Sequence, residues 1–269
     1  MPYKTWLMLG GAVALIFLSL KAVEAKVVTQ TVEYRQDGTV LQGFLAYDDG
    51  LKGKRPGVLV VHEWWGLNDF ARERALKLAG LGYVALAADM YGGGATASNR
   101  EEAGKLAGAL LGNPDLLRAR AQAALQVLAA DPRVDPNRLA AIGFCFGGTT
   151  VLELAYSGAD LAGVVSFHGG LPRTQPDDLK RIKAALLVLH GADDPHVAPA
   201  DIAAFEQAMR QAGADWQMVF FGGAVHGFTN PTAGDNKASG VAYDARAARR
   251  SFRCMQEFFR EIWRVKGQD

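Results

Sequence analysis

The sequence predicts an α/β fold, a mostly parallel sheet with helices on both faces. Three observations carry that prediction. Short apolar runs alternate with segments whose apolar residues recur at helical spacing. One such run leads into Gly143-Phe144-Cys145-Phe146-Gly147, and Gly-x-nucleophile-x-Gly is the pattern of a sharp strand-to-helix turn, the nucleophile elbow. All five histidines (His62, His168, His190, His196 and His226) fall just after predicted strands or in the loops that follow. Open α/β sheets bind their ligands at that edge, the carboxyl ends of the strands.

The elements follow in order. Val27 to Tyr34 and Val40 to Tyr47 read as a hairpin at the sheet edge. Pro56 to His62 is a short buried strand. Phe70 to Ala79 is a helix, capped by Asn68 or Asp69 and stopped by Gly80. Tyr83 to Ala88 is a strand, and helices are expected from near Glu101 and from Asp115 to Ala130. Leu139 to Phe144 is the strand entering the elbow, and Thr149 to Ala155 continues the helix after it. Ala162 to Phe167, Ala185 to Leu189 and Trp216 to Phe221 complete the strands. Ile202, Phe205 and Met209 form a helical stripe between the last two, and a final helix covers Val241 to Trp263. Thr229 to Gly240, rich in Gly, Ala and Asn, reads as a mobile loop.

The chain of 269 residues is long enough for one large α/β domain. A net charge of +1 gives no basic excess for nucleic acid and no charged tail for a partner. The N-terminus differs: Lys4, an apolar run from Trp6 to Leu20, then Val23-Glu24-Ala25. A positive start, an apolar middle and small residues before the cut describe a secretory signal over residues 1–25. Residues 26–269 then form a single domain, secreted or periplasmic, monomeric and free of the membrane. The alternative is an uncleaved N-terminal anchor, although the run is short for a spanning helix. The two cysteines, Cys145 and Cys254, make no disulfide framework. Cys254, beside Phe252, Met255 and Phe258, reads as an inert buried thiol.

The elbow has partners downstream. His190 to Val197 follows a strand and carries Asp193 and Asp194; His226-Gly227-Phe228 follows the last strand. Cys145, an aspartate and His226 thus stand in the order nucleophile, acid, base. A thiol needs conversion to a thiolate, which an imidazole in hydrogen-bond reach can effect. A carboxylate on the other ring nitrogen fixes the tautomer. The backbone N–H of Phe146 is one oxyanion donor. The second is expected in the loop His62-Glu63-Trp64-Trp65-Gly66, at Trp64. A zinc site on His62-Glu63 lacks its second histidine, because position 66 is Gly. No metal and no cofactor are expected.

Gly143 to Gly148, Gly191 to Val197, His226-Gly227-Phe228 and His62 to Gly66 together resemble the dienelactone hydrolase family over about residues 30 to 264. The resemblance implies an α/β-hydrolase fold and a Cys-His-Asp triad that opens esters or lactones. It favours Asp194 over Asp193 as the acid. It also implies that Glu63 interacts with the cysteine and helps generate the thiolate when substrate arrives. His168, Tyr91 and Trp65 are candidates for the substrate pocket. The chain departs from the family's best-known members at two arginines that hold a substrate carboxylate: here Gly92-Gly93-Gly94 follows Tyr91, and Asn230 stands four residues after His226. A neutral amide cannot replace a guanidinium fork. The expected substrate is therefore an ester or lactone without that charge, and the alternatives are acyl transfer through the same residues or a non-catalytic binding role on this scaffold.

Overall fold

The computed structural model describes Met1 and residues 26–263. β1 (Val27–Gln36) and β2 (Thr39–Asp48) pair antiparallel along their whole length. Asp37 and Gly38 join them with φ of 43° and 79°, the left-handed pair that a two-residue hairpin turn requires. β3 (Arg55–Val61), β4 (Val84–Ala88), β5 (Val134–Phe144), β6 (Gly163–Phe167), β7 (Ala185–Gly191) and β8 (Trp216–Phe221) follow in sequence. The sheet order is β1-β2-β4-β3-β5-β6-β7-β8, parallel from β4 to β8, with β2 antiparallel to β4.

Helices cover both faces. α1 (Asp69–Gly80) and α7 (Ala245–Ile262) pack on one; α2 (Arg100–Leu111), α3 (Pro114–Ala130), α4 (Phe146–Tyr156) and α6 (Pro199–Ala212) pack on the other. Covered twice, β3 is buried at every position, which is why its sequence is almost continuously apolar. Its side chains alternate: Leu59 and Val61 enter the α3/α4 core, Val58 and Val60 the α1/α7 core. The same alternation sends Phe144 to the α1/α7 side and Phe146 to the other. Cys145 is left between them at the sheet edge.

Most expected elements are present within one or two residues, and five differ. β5 begins at Val134, not Leu139, its first residues pairing with Arg55 and Pro56 before a register shift that hides the strand's start. α7 begins at Ala245, not Val241, because His226 N–H donates to Gly240 O (3.1 Å) and Ala242 N–H to His226 O (3.0 Å), tying 240–242 to the histidine loop. The stretch 229–240 is not featureless: it contains two 3₁₀ turns, Pro231–Ala233 and Lys237–Ser239, each capped by an asparagine side chain, Asn230 and Asn236. His190 lies inside β7, not after it. A short helix, α5 (Pro176–Leu179), has too few residues to leave a periodic signal. The expected signal at residues 1–25 lies, apart from Met1, outside the described residues. Among the described residues no helix is long and apolar enough to cross a membrane.

Candidate active site

Cys145 occupies a backbone conformation that L-residues avoid, φ 54° and ψ −114°. The surroundings impose it. Its N–H donates to Phe167 O (3.0 Å) and its carbonyl accepts from Thr149 N–H (3.2 Å), so the turn is fixed on both sides. The flanking glycines allow the close approach. A Cβ on Gly143 would overlap the Gly147 carbonyl, and one on Gly147 would overlap the Val61 carbonyl. On Gly148 it would come within 2.7 Å of Ser166 Oγ. The thiol is free and partly exposed. Phe146 opens α4, where an N–H has no carbonyl one turn earlier to bond, so that donor is available beside the sulfur.

The loop after β8 delivers His226, whose Nδ1 lies 2.8 Å from Asp194 Oδ2. The Asp194 side chain is fully buried, and its other oxygen accepts the His196 N–H at 2.8 Å. Burial would raise the Asp194 carboxyl, but the His226 hydrogen bond and charge hold it below the usual carboxylate range. Asp193 is exposed. Burial alone would lower His226, yet hydrogen bonds to Asp194 and Cys145 push it up to about 10.

Glu63 and Trp64 come from the loop after β3. Burial raises the Glu63 carboxyl to about 7, against the opposing pull of Asn230, His226 and Arg74. Asn230 Nδ2 donates to Glu63 Oε2 at 2.6 Å, and Asn230 Oδ1 accepts from Thr232 N–H and hydroxyl. Trp64 offers its carbonyl to Tyr91 Oη (2.8 Å) and packs edge-on against Trp65. Burial first, then the Cys145 charge, raises the Tyr91 phenol. Tyr91, His62 and Phe146 rings pack together at 4.9–5.7 Å between centroids.

His168 is placed differently from expectation. It is fully buried, with Nε2 2.7 Å from Thr229 Oγ1 and its ring edge-on to His226 at 5.3 Å. Fully buried, it packs against the His226 ring and does not face an open pocket. Burial and the His226 charge keep it neutral, far below its ordinary value. His196, unassigned from sequence, also packs edge-on against His226, at 5.0 Å. Asn230 was legible only as a missing arginine; its contact with Glu63 spans 167 residues of sequence, a distance no local pattern reports. Among the described residues no cluster of His, Cys, Asp and Glu could hold a metal ion.

The sequence matches the dienelactone hydrolase family over residues 41–263. The chain belongs to the dienelactone hydrolase family. Relatives agree. Protein usf of Aquifex pyrophilus is 29% identical over 236 residues, covering 86% of this chain and 98% of its own. A protein of Aquifex aeolicus (strain VF5), provisionally named carboxymethylenebutenolidase, is 28% identical over 235 residues, covering 86% of this chain and 97% of its own. The solved structure called m3DLH superposes with a TM-score of 0.86 at 45% identity, covering 89% of this chain and all of the other. A dienelactone hydrolase-like promiscuous phosphotriesterase from metagenomic libraries gives 0.84 at 45% identity, covering 88% and 99%. The fold is that of the α/β hydrolases, and the protein is a dienelactone hydrolase-like hydrolase.

The two positions where the resemblance leads one to expect arginines are built differently here. Gly92, Gly93 and Gly94 all have positive φ (104°, 60° and 72°). Their turn wraps the Asp89 carboxylate, which accepts N–H groups from Tyr91, Gly92 and Gly94 at 2.8–2.9 Å. An arginine would strain that backbone. Asn230 is buried, and its neutral amide donates to Glu63.

Proposed function

We propose that this dienelactone hydrolase relative cleaves activated carboxylic esters or lactones through a Cys145-His226-Asp194 triad and a thioester intermediate. The observation that carries the reading is the Asp194–His226 hydrogen bond beside a thiol held at the elbow. The Cys145 thiolate attacks the acyl carbon, forming the C–S bond while the carbonyl pair moves to oxygen. The Phe146 and Trp64 N–H groups receive that oxyanion. The pair returns, the C–O bond breaks, and the leaving oxygen takes the proton held by His226. Water, deprotonated by His226, then attacks the thioester. The C–S bond breaks and thiolate is restored.

Thiolate is itself a good leaving group. Expulsion of oxygen competes only when the departing oxyanion is stabilised, so unactivated alkyl esters and peptides are poor substrates. Glu63, with its carboxyl raised to about 7, is a second proton holder beside His226; ionised, it takes the Cys145 proton as substrate enters, and Asn230 sets its position and acidity. Lacking both carboxylate-binding arginines, the site favours an uncharged substrate. Tyr91 and Trp65 form the pocket wall near the sulfur. The enzyme works as a monomer exported by its N-terminal segment, where a thiol masked until substrate arrives resists oxidation. Purified protein assayed with p-nitrophenyl acetate and neutral lactones tests the reading; peptide cleavage without esterase activity overturns it.

A second reading has one observation behind it: the metagenomic relative at 45% identity bears the name phosphotriesterase. An uncharged aryl phosphotriester suits the same neutral site. The thiolate would attack phosphorus and expel the aryloxide. Burst release of one aryloxide per Cys145 is the expected signature.

A further inference from the structure

A cleft of about 530 Å3 opens between α1 and α7, and its wall contains none of Cys145, Asp194, His226 or Glu63. Helical spacing builds it. α1 contributes Arg74 and Lys77, three residues apart, and α7 contributes Arg249, Phe252 and Arg253 at the matching i, i+3, i+4 positions. Its floor is the pair Phe144 and Phe167, whose rings stack at 4.7 Å. Four cations converge there, and no aspartate or glutamate lines the wall.

Surface cations usually find a counter-charge or stay apart, because like charges held together repel. Among the described residues Lys77, Arg249 and Arg253 make no salt bridge, and Arg74 reaches only Glu73, at 3.9 Å. Arg74 Nε is buried with no hydrogen-bond partner. Lys77 Nζ stands 4.0 Å over the Phe252 ring, which takes one cation but satisfies none of the donors. Unpaired donors above an aromatic floor, in a volume of ligand size, describe a site for a molecule with an anionic head and an apolar body.

We propose that the α1/α7 cleft binds an amphipathic organic carboxylate, its head held by Arg74 and the α7 arginines and its aryl or alkyl body laid on Phe144, Phe167 and Phe252. This site is independent of the nucleophile. It adjoins the active site through its floor, since Phe144 directly precedes Cys145, and through the segment where Thr229 and Pro231 line the cleft and flank Asn230, which holds Glu63.

The test is calorimetric titration of the full-length protein, its Cys145 alkylated with iodoacetamide, with 2-naphthoate, 2-naphthalenemethanol and inorganic phosphate. The expected result is that naphthoate binds at least tenfold more tightly than either other probe. The exposed pair Arg249→Ala/Arg253→Ala, checked for unchanged melting, weakens it at least tenfold. Equal binding of the alcohol or of phosphate, unchanged affinity in the double variant, or no binding by the alkylated protein would each overturn the proposal.

Discussion

Asn230 donates a 2.6 Å hydrogen bond to the buried carboxylate of Glu63, tying the loop after β8 to the loop after β3. That bond favours the ionised form, while burial opposes it and leaves the carboxyl at about 7. Two of the groups around Cys145, Glu63 and His226, thus exchange protons on either side of the working range.

The pH dependence of kcat/KM follows from that arrangement. An acid limb near 7 reports Glu63 ionisation, and an alkaline limb near 10 reports loss of the His226 proton that the leaving group needs. Glu63→Gln abolishes the acid limb. Asn230→Ala removes a bond to the carboxylate and moves that limb to higher pH. Profiles of the three proteins on one neutral ester decide it; a Glu63→Gln profile identical to that of the parent enzyme contradicts it.

Stability carries the same signature. The folded Glu63 carboxyl is raised from 4.5 to about 7, so the unfolded chain ionises first as pH rises. The stability contribution is fully present below 4.5 and is lost through 7, at about 1.4 kcal/mol per pH unit across that window. In Glu63→Gln the difference between urea-unfolding free energies at pH 5 and pH 7 shrinks by about 2 kcal/mol. An unchanged difference would mean that Glu63 is ionised throughout.

Asp194 and Asp193 are adjacent yet unequal: one is buried on His226, the other exposed. Asp194→Asn is expected to lower kcat by about 10² to 10⁴-fold through the wrong histidine tautomer. Asp193→Asn changes it less than about twofold. Steady-state kinetics on p-nitrophenyl acetate measure both, and equal losses contradict the assignment.

Gly147 packs with no room for a side chain against the Val61 carbonyl. Gly147→Ala is expected to cost more than about 3 kcal/mol, because the backbone of Val61 and His62 occupies the place of the methyl. Chemical denaturation reads this directly. A loss below 1 kcal/mol would show that the elbow relaxes more easily than its packing implies.

The sheet, its helices and the positions of Cys145, Asp194 and His226 were legible because each rests on local chemistry: apolar periodicity, turn glycines, and order along the chain. His168 was misplaced because nothing in Phe167-His168-Gly169 reports that Thr229, from a loop 61 residues away, closes over its ring. Asn230 was visible as a departure but not as a partner of Glu63. The basic cleft was invisible for a related reason. Lys77 and Arg249 stand on exposed helix faces, where cations ordinarily mean solvation, and only the packing of α1 beside α7 brings them together.

The central claim is that Cys145 carries the acyl group. Rapid-quench intact-mass spectrometry during p-nitrophenyl acetate turnover, followed by peptide mapping, tests it most directly. The account predicts one acetyl group per chain, on the peptide containing Cys145, absent in Cys145→Ala together with activity. Turnover without any adduct, retained by Cys145→Ala, would contradict it.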